Sequence, residues 1–101
     1  MIVILTTLHK KKNAIAIGNG LLKERLIACY NAHPIRSGFW WKGKILKADE
    51  TLMVLKTKNA LFKKVEAYIK KHSGYEVPEV IALKVEKVNT SYLNWVNQET
   101  R

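Results

Sequence analysis

The chain is poor in the residues that staple, interrupt or anchor a fold. It has one cysteine, Cys29, so no internal disulfide can form and nothing demands an oxidising compartment. Its two prolines, Pro34 and Pro78, stand alone, and there is no repeat, linker or low-complexity stretch. No apolar run approaches the ~20 residues needed to cross a bilayer. The apolar segment Met1 to Leu5 is too short for a signal-peptide core, and Lys10, Lys11 and Lys12 follow it, the reverse of the secretory order. A cytoplasmic protein with no membrane association is expected. Acidic residues are scarce as well: eight Asp and Glu against eighteen Lys and Arg, a net charge of +10. The lysines are scattered along the chain, which reads as a solvated basic surface.

What is present is enough for one core. With 101 residues, 48% of them apolar, the chain suits a single domain spanning 1–101. Met1 to Thr7 is a short β-branched run, the pattern of a central strand covered on both faces or nearly so. Lys10 to Leu26 has helical spacing, with Ala14, Ile17, Leu21 and Leu22 on one side. Gly18 and Gly20 weaken that helix by up to about 1 kcal/mol each, unless they permit close packing. Ile27 to Trp41 alternates, with His33-Pro34 in its middle, so a bulge or an edge position is expected. Lys42-Gly43 is a two-residue turn, and Lys44 to Thr57 is the returning strand, bending at the polar stretch from Lys47 to Thr51.

Asn59 to His72 carries the stripe Leu61, Phe62, Val65, Tyr68 and Ile69, with Thr57 or Asn59 as cap and Gly74 just past the end. Val77 to Val88 reads as a strand and Ser91 to Gln98 as a closing helix. The order β-α-β-β-α-β plus one helix predicts an α+β, ferredoxin-like fold. A hairpin with arms of about fifteen residues is longer than typical strands of ~5–6. Part of it should project and meet another chain.

Chemical motifs are few. Gly18-Asn19-Gly20 lies in a helical pattern without a phosphate-loop context, and no nucleophile motif or carboxylate pair stands out, so no enzyme is expected. Arg36-Ser37-Gly38-Phe39-Trp40-Trp41 has the flavour of an RNA-binding strand. However, Ser37 and Trp40 break the pattern and the first strand lacks an aromatic partner, which argues against a nucleic-acid ligand there. Cys29, His9, His33 and His72 are possible metal ligands, but no CxxC, HxxxH or HExxH spacing joins them. A site would have to be assembled by folding or between subunits. Thiolate with imidazole would suit copper or zinc.

The block Leu22-Lys23-Glu24-Arg25-Leu26-Ile27-Ala28-Cys29-Tyr30-Asn31 closely resembles the CutA family. So do Thr6-Thr7, Ser37 to Lys44, the stretch from Glu50 to Thr57, Tyr75-Glu76-Val77-Pro78-Glu79-Val80, and Tyr92-Leu93-Asn94-Trp95, in the same order. The resemblance implies a homotrimer related to the PII signalling proteins, in which long hairpins pair between subunits, with Pro34, Trp40 and Trp41 as trimer-interface candidates. It implies tolerance to, and binding of, copper or another divalent cation, with Cys29 as a metal ligand; His72, one place before the family's usual histidine position, is the partner ligand expected here. It also places Glu50, Lys56, Tyr75 and Glu79 in clefts between subunits. The family usually reads His-Pro-Tyr where this chain has Ser73-Gly74-Tyr75. The alternative is a PII-like regulatory trimer whose clefts hold a small anionic ligand among lysines such as Lys56.

Overall fold

The computed structural model describes residues Met1 to Arg101 throughout. Strand β1 (Ile2–Leu8) leads to helix α1 (Lys11–Lys23), then strands β2 (Cys29–Trp41) and β3 (Lys44–Thr57). A 3-10 turn at Asn59–Leu61 runs into α2 (Phe62–His72), followed by β4 (Ile81–Lys84) and α3 (Thr90–Glu99). The strands form one sheet in the order β2-β3-β1-β4 with every pairing antiparallel. This is the ferredoxin-like arrangement expected from the element order, with α3 as the additional helix.

Strand β1 is central, but one of its faces is open. Ile2, Ile4, Thr6 and Leu8 are buried, whereas Val3, Leu5 and Thr7 between them are half-exposed. Alternating side chains point to opposite faces, so α1 and α2 cover one face of the sheet, while the other is covered only in part, at Cys29 by Tyr92 of α3. The expectation of cover on both faces is therefore met on one side. The core joins Ile2, Ile4 and Leu8 to Ala14, Ile17 and Leu21 of α1, Met53 and Leu55 of β3, and Val65 and Ile69 of α2.

Helix α1 stops at Lys23, three residues before the limit set by its spacing. The Leu26 N–H donates to the Leu21 carbonyl at 3.0 Å and the Arg25 N–H to the Leu22 carbonyl at 3.0 Å, while Arg25 adopts φ 59°. That is the Schellman closure, and its apolar partners Leu21 and Leu26 are both buried. The glycines of α1 are there for contact. A Cβ on Gly18 would sit 2.8 Å from the Tyr30 ring and 2.9 Å from the Met53 methyl, and one on Gly20 would sit 1.8 Å from the Tyr68 hydroxyl oxygen.

The β2–β3 ribbon runs from Cys29↔Lys56 to Trp41↔Lys44 without a slip in register, so there is neither a bulge at Pro34 nor a break at Lys47–Thr51. Lys42 and Gly43, at φ 50° and 79°, make the tight turn. Pairs closing such a turn exchange hydrogen bonds, so residues an even number of places before Trp41 bond to β3 and the others face away. Pro34 is one of the latter. Its missing N–H is on the outer side of an edge strand, which is why the ladder tolerates it. The ribbon accounts for the elongated 45 × 26 × 22 Å shape.

Three boundaries differ from expectation. No side chain caps the start of the Asn59 turn or of α2, because the Thr57 hydroxyl is buried and donates instead to the Leu26 carbonyl at 2.6 Å. Strand β4 has four residues rather than twelve. Continuing its register would set Pro78, which has no N–H, opposite Leu8. Helix α3 extends to Thr90–Glu99, and of Leu93, Trp95 and Val96 only Val96 is buried.

Candidate functional site

The open face of the sheet follows from register. Cys29 faces the same way as its partner Lys56, and with them go His33, Ile35, Phe39 and Trp41 of β2, and Leu46, Glu50, Leu52 and Val54 of β3. Val3 and Leu5 of β1 share this face with Leu83 and Ile81 of β4. Phe39, Leu46, Ile81 and Leu83 are exposed on it.

Between α2 and β4 the chain passes over this face. Ser73 is buried, its hydroxyl accepts the Tyr75 N–H at 3.2 Å, and Gly74 at φ 78° turns the loop toward β3. Between the loop and the far half of the ribbon lies a cavity of about 820 Å³. Ile35, Phe39, Trp41, Leu46 and Val77 supply apolar wall, and His9, Glu50, Tyr75, Glu76 and Glu79 supply polar groups.

At its heart the Tyr75 hydroxyl donates to Glu50 Oε2 at 2.5 Å. Burial, that hydrogen bond and the Glu50 charge all raise the Tyr75 phenol above its ordinary value. Burial, with the nearby Glu50 charge, also raises the carboxyl of Glu79. Two carboxylates and a phenol thus converge in a protein that is otherwise strongly basic. Their oxygens are hard donors of the kind that take divalent cations. They do not complete a shell, since no three His, Cys, Asp or Glu side chains of the chain converge as metal ligands.

The other residues singled out from sequence are placed elsewhere. Cys29 and His72 do not meet within one chain. Cys29 lies on the open face, its sulfur 3.4 Å from the Tyr92 hydroxyl, while His72 ends a helix of the covered face and stacks on Tyr68 with ring centres 4.2 Å apart. The bond to Cys29, then burial, then the charge of Cys29 push the Tyr92 phenol up to about 12. Lys56 is on the same face as Glu50 but six residues along β3, roughly 20 Å at strand rise, and its ammonium donates to the Asn31 side chain. It is thus separated from Glu50, Tyr75 and Glu79, with which it had been grouped. Trp41 is half-buried on the cavity side. Trp40, 71% exposed, and Pro34 point to the opposite side of the ribbon.

Sequence reasoning missed the Leu46 contribution and the Cys29–Tyr92 contact, and it named His9 and Phe39 without grouping them with Glu50, Tyr75 and Glu79. Strand parity would have grouped Phe39 with Trp41 and Leu46, whereas nothing local announces a contact between residues 63 positions apart.

The CutA1 divalent ion tolerance protein family matches residues 2–99. The divalent-cation tolerance protein CutA of Thermotoga maritima is 42% identical over 98 residues, covering 97% of each chain. The crystal structure of CutA1 from Pyrococcus horikoshii, 39% identical, superposes with a TM-score of 0.96 over 100% of this chain and 99% of that one. The periplasmic divalent cation tolerance protein CutA of Archaeoglobus fulgidus, 34% identical, gives 0.96 over 98% of both. Agreement of fold, sequence and length from end to end makes this chain a member of the CutA1 divalent ion tolerance family.

Proposed function

We propose that the protein acts in divalent-cation tolerance as a non-catalytic homotrimer, holding copper or another divalent ion in clefts between its subunits. The observation that carries the assembly is the open sheet face, where Ile81 and Leu83 are exposed beside the half-exposed Val3 and Leu5, and Phe39 and Leu46 are exposed as a pair farther along the ribbon. An apolar sheet face of this extent marks a contact surface, and family membership supplies the role. Within each cleft Glu50 and Glu79 bind the ion from one chain, Tyr75 orients Glu50, and a neighbouring subunit completes the shell. An anionic ligand has no matching charge in this cavity, since Lys56 lies elsewhere and the carboxylates repel it. Residence in the cytoplasm belongs to the same proposal and rests on the single unpaired thiol.

Light scattering after gel filtration tests the assembly: a particle of about three 11.6 kDa chains is expected, and a stable folded single chain at micromolar concentration refutes it. Titration calorimetry with copper, zinc and magnesium salts tests the site. Glu50→Gln and Glu79→Gln should each weaken binding strongly while Cys29→Ala leaves it intact. Loss of binding with Cys29→Ala alone would move the site to the thiol, and no binding by the native protein would remove the ion from the proposal.

A further inference from the structure

The positive charge that is scattered in sequence is gathered in space. Residues 10–25 and 58–73, the two helices of the covered face with their flanks, hold ten of the eighteen Lys and Arg but only two of the eight carboxylates. Eight of the ten surplus charges therefore belong to this one layer. The helices run antiparallel, since Gly20 meets Tyr68 while Lys10 and Asn13 share a small cleft with Ser73. Lys11 and Lys12 accordingly sit beside the Lys70–Lys71 end. The outward face of α2 carries exposed Lys63, Lys64, Lys70 and Lys71 with Ala67 between them. Glu66, its one carboxylate, is tied to Lys70 at 3.5 Å.

We infer that this helix layer is a docking surface for double-stranded DNA, bound through its phosphates without regard to sequence. Charge complementarity selects a polyanion, and the residues among the lysines select the kind. The outward positions of α1 and α2 other than the lysines include Ala16, Asn19 and Ala67, with no exposed large aliphatic side chain, and the one exposed ring, His72, is stacked on Tyr68. Nothing there could enter a bilayer, as a membrane-surface helix requires. With His72 already stacked on Tyr68, there is no row of free rings for successive bases, as single-strand binders require. Phosphate contact alone remains, and a duplex presents about one charge per 1.7 Å of axis. The two lysine pairs of α2 are seven residues apart, about 10 Å along a helix, close to the ~12 Å width of the B-DNA major groove. The corresponding groove of an RNA duplex is narrow. The layer lies on the far side of the sheet from the apolar face, so the inference does not depend on the proposed assembly or its metal.

Fluorescence anisotropy of the native protein with a short labelled DNA duplex of arbitrary sequence tests it. Log affinity should fall linearly with log salt, losing about 0.9 of slope for each phosphate contact removed. Replacing Lys63, Lys64, Lys70 and Lys71 by Gln should weaken binding at least about tenfold at low salt and flatten that slope. Replacing Lys44, Lys47, Lys84 and Lys87 by Gln, an equal change of charge elsewhere on the surface, should cost far less. Circular dichroism confirms that both variants fold. No binding of the duplex at low salt, equal losses in the two variants, or tighter binding to single-stranded DNA, duplex RNA or phosphatidylserine vesicles would each overturn the inference.

Discussion

Replacing Gly20 by alanine should destabilise the protein even though alanine is the better helix former. The new methyl would lie 1.8 Å from the Tyr68 hydroxyl oxygen and 2.8 Å from the ring carbon bearing it. Restoring an ordinary contact of 3.4 Å requires the hydroxyl to retreat by about 1.6 Å. Tyr68 is half-buried against the core and stacked on His72, so the ring cannot move without disturbing both. Overpacking of this kind costs about 1–3 kcal/mol, against a gain of about 1 kcal/mol in helix propensity. The net is a loss of up to about 2 kcal/mol, and each kcal/mol corresponds to roughly 4–8 °C in Tm for a domain of this size. The sign should reverse when the obstacle is removed: in a Tyr68→Ala background, Gly20→Ala should raise Tm. Thermal melts of the four proteins at one fixed chain concentration decide the matter, because assembly makes Tm depend on concentration. A higher Tm for Gly20→Ala with Tyr68 intact would show that the ring swings aside freely, and the packing argument would fail.

Glu79 has a raised pKa because it is buried near the Glu50 charge. Between the ordinary carboxylate range and that raised value, the folded protein therefore holds more protons than the unfolded chain, and this group's contribution to stability declines as pH increases. Glu79→Gln should flatten the decline in a series of melts from acid to neutral pH, and an unchanged profile would refute the coupling. The Thr6 hydroxyl is fully buried with no partner. Thr6→Val, which keeps the branched shape a strand favours, should raise stability by about 1 kcal/mol in the same melts; a loss would mean that the hydroxyl is satisfied. Arg25 sits at φ 59° and its ion pair with Glu99 is largely exposed. Arg25→Gly should relieve more backbone strain than the pair contributes and raise Tm by a few degrees; a fall of similar size would show that the pair dominates.

The elements whose signals are local could be read in advance. The stripe of α2 reappears as buried Leu61, Val65 and Ile69, and the Lys42-Gly43 turn lies where a positive φ was required. Where the usual residue is missing, legibility fails. The end of α1 is a Schellman closure that a glycine would have announced and that Arg25 hides. Val77 and Val80 have the look of strand in sequence, whereas Pro78 settles where the pairing of β4 starts. Glu50, Tyr75 and Glu79 could be grouped from family likeness and do converge. Lys56 could not be separated from them without the register, which fixes its distance along β3. Cys29 and His72 were joined by the chemistry of their side chains, which says nothing of which side of a sheet each occupies.

Pro34 has a further effect through the row of backbone groups that it interrupts. The outer margin of β2 offers N–H donors at Tyr30 and Ala32 on one side of the proline and at Arg36, Gly38 and Trp40 on the other. Another chain could zip onto either short stretch but not continuously across both, because the middle rung is gone. A long ribbon rich in tryptophan and isoleucine would otherwise be a template for fibre growth. One residue that breaks no native bond thus keeps pairing between molecules finite.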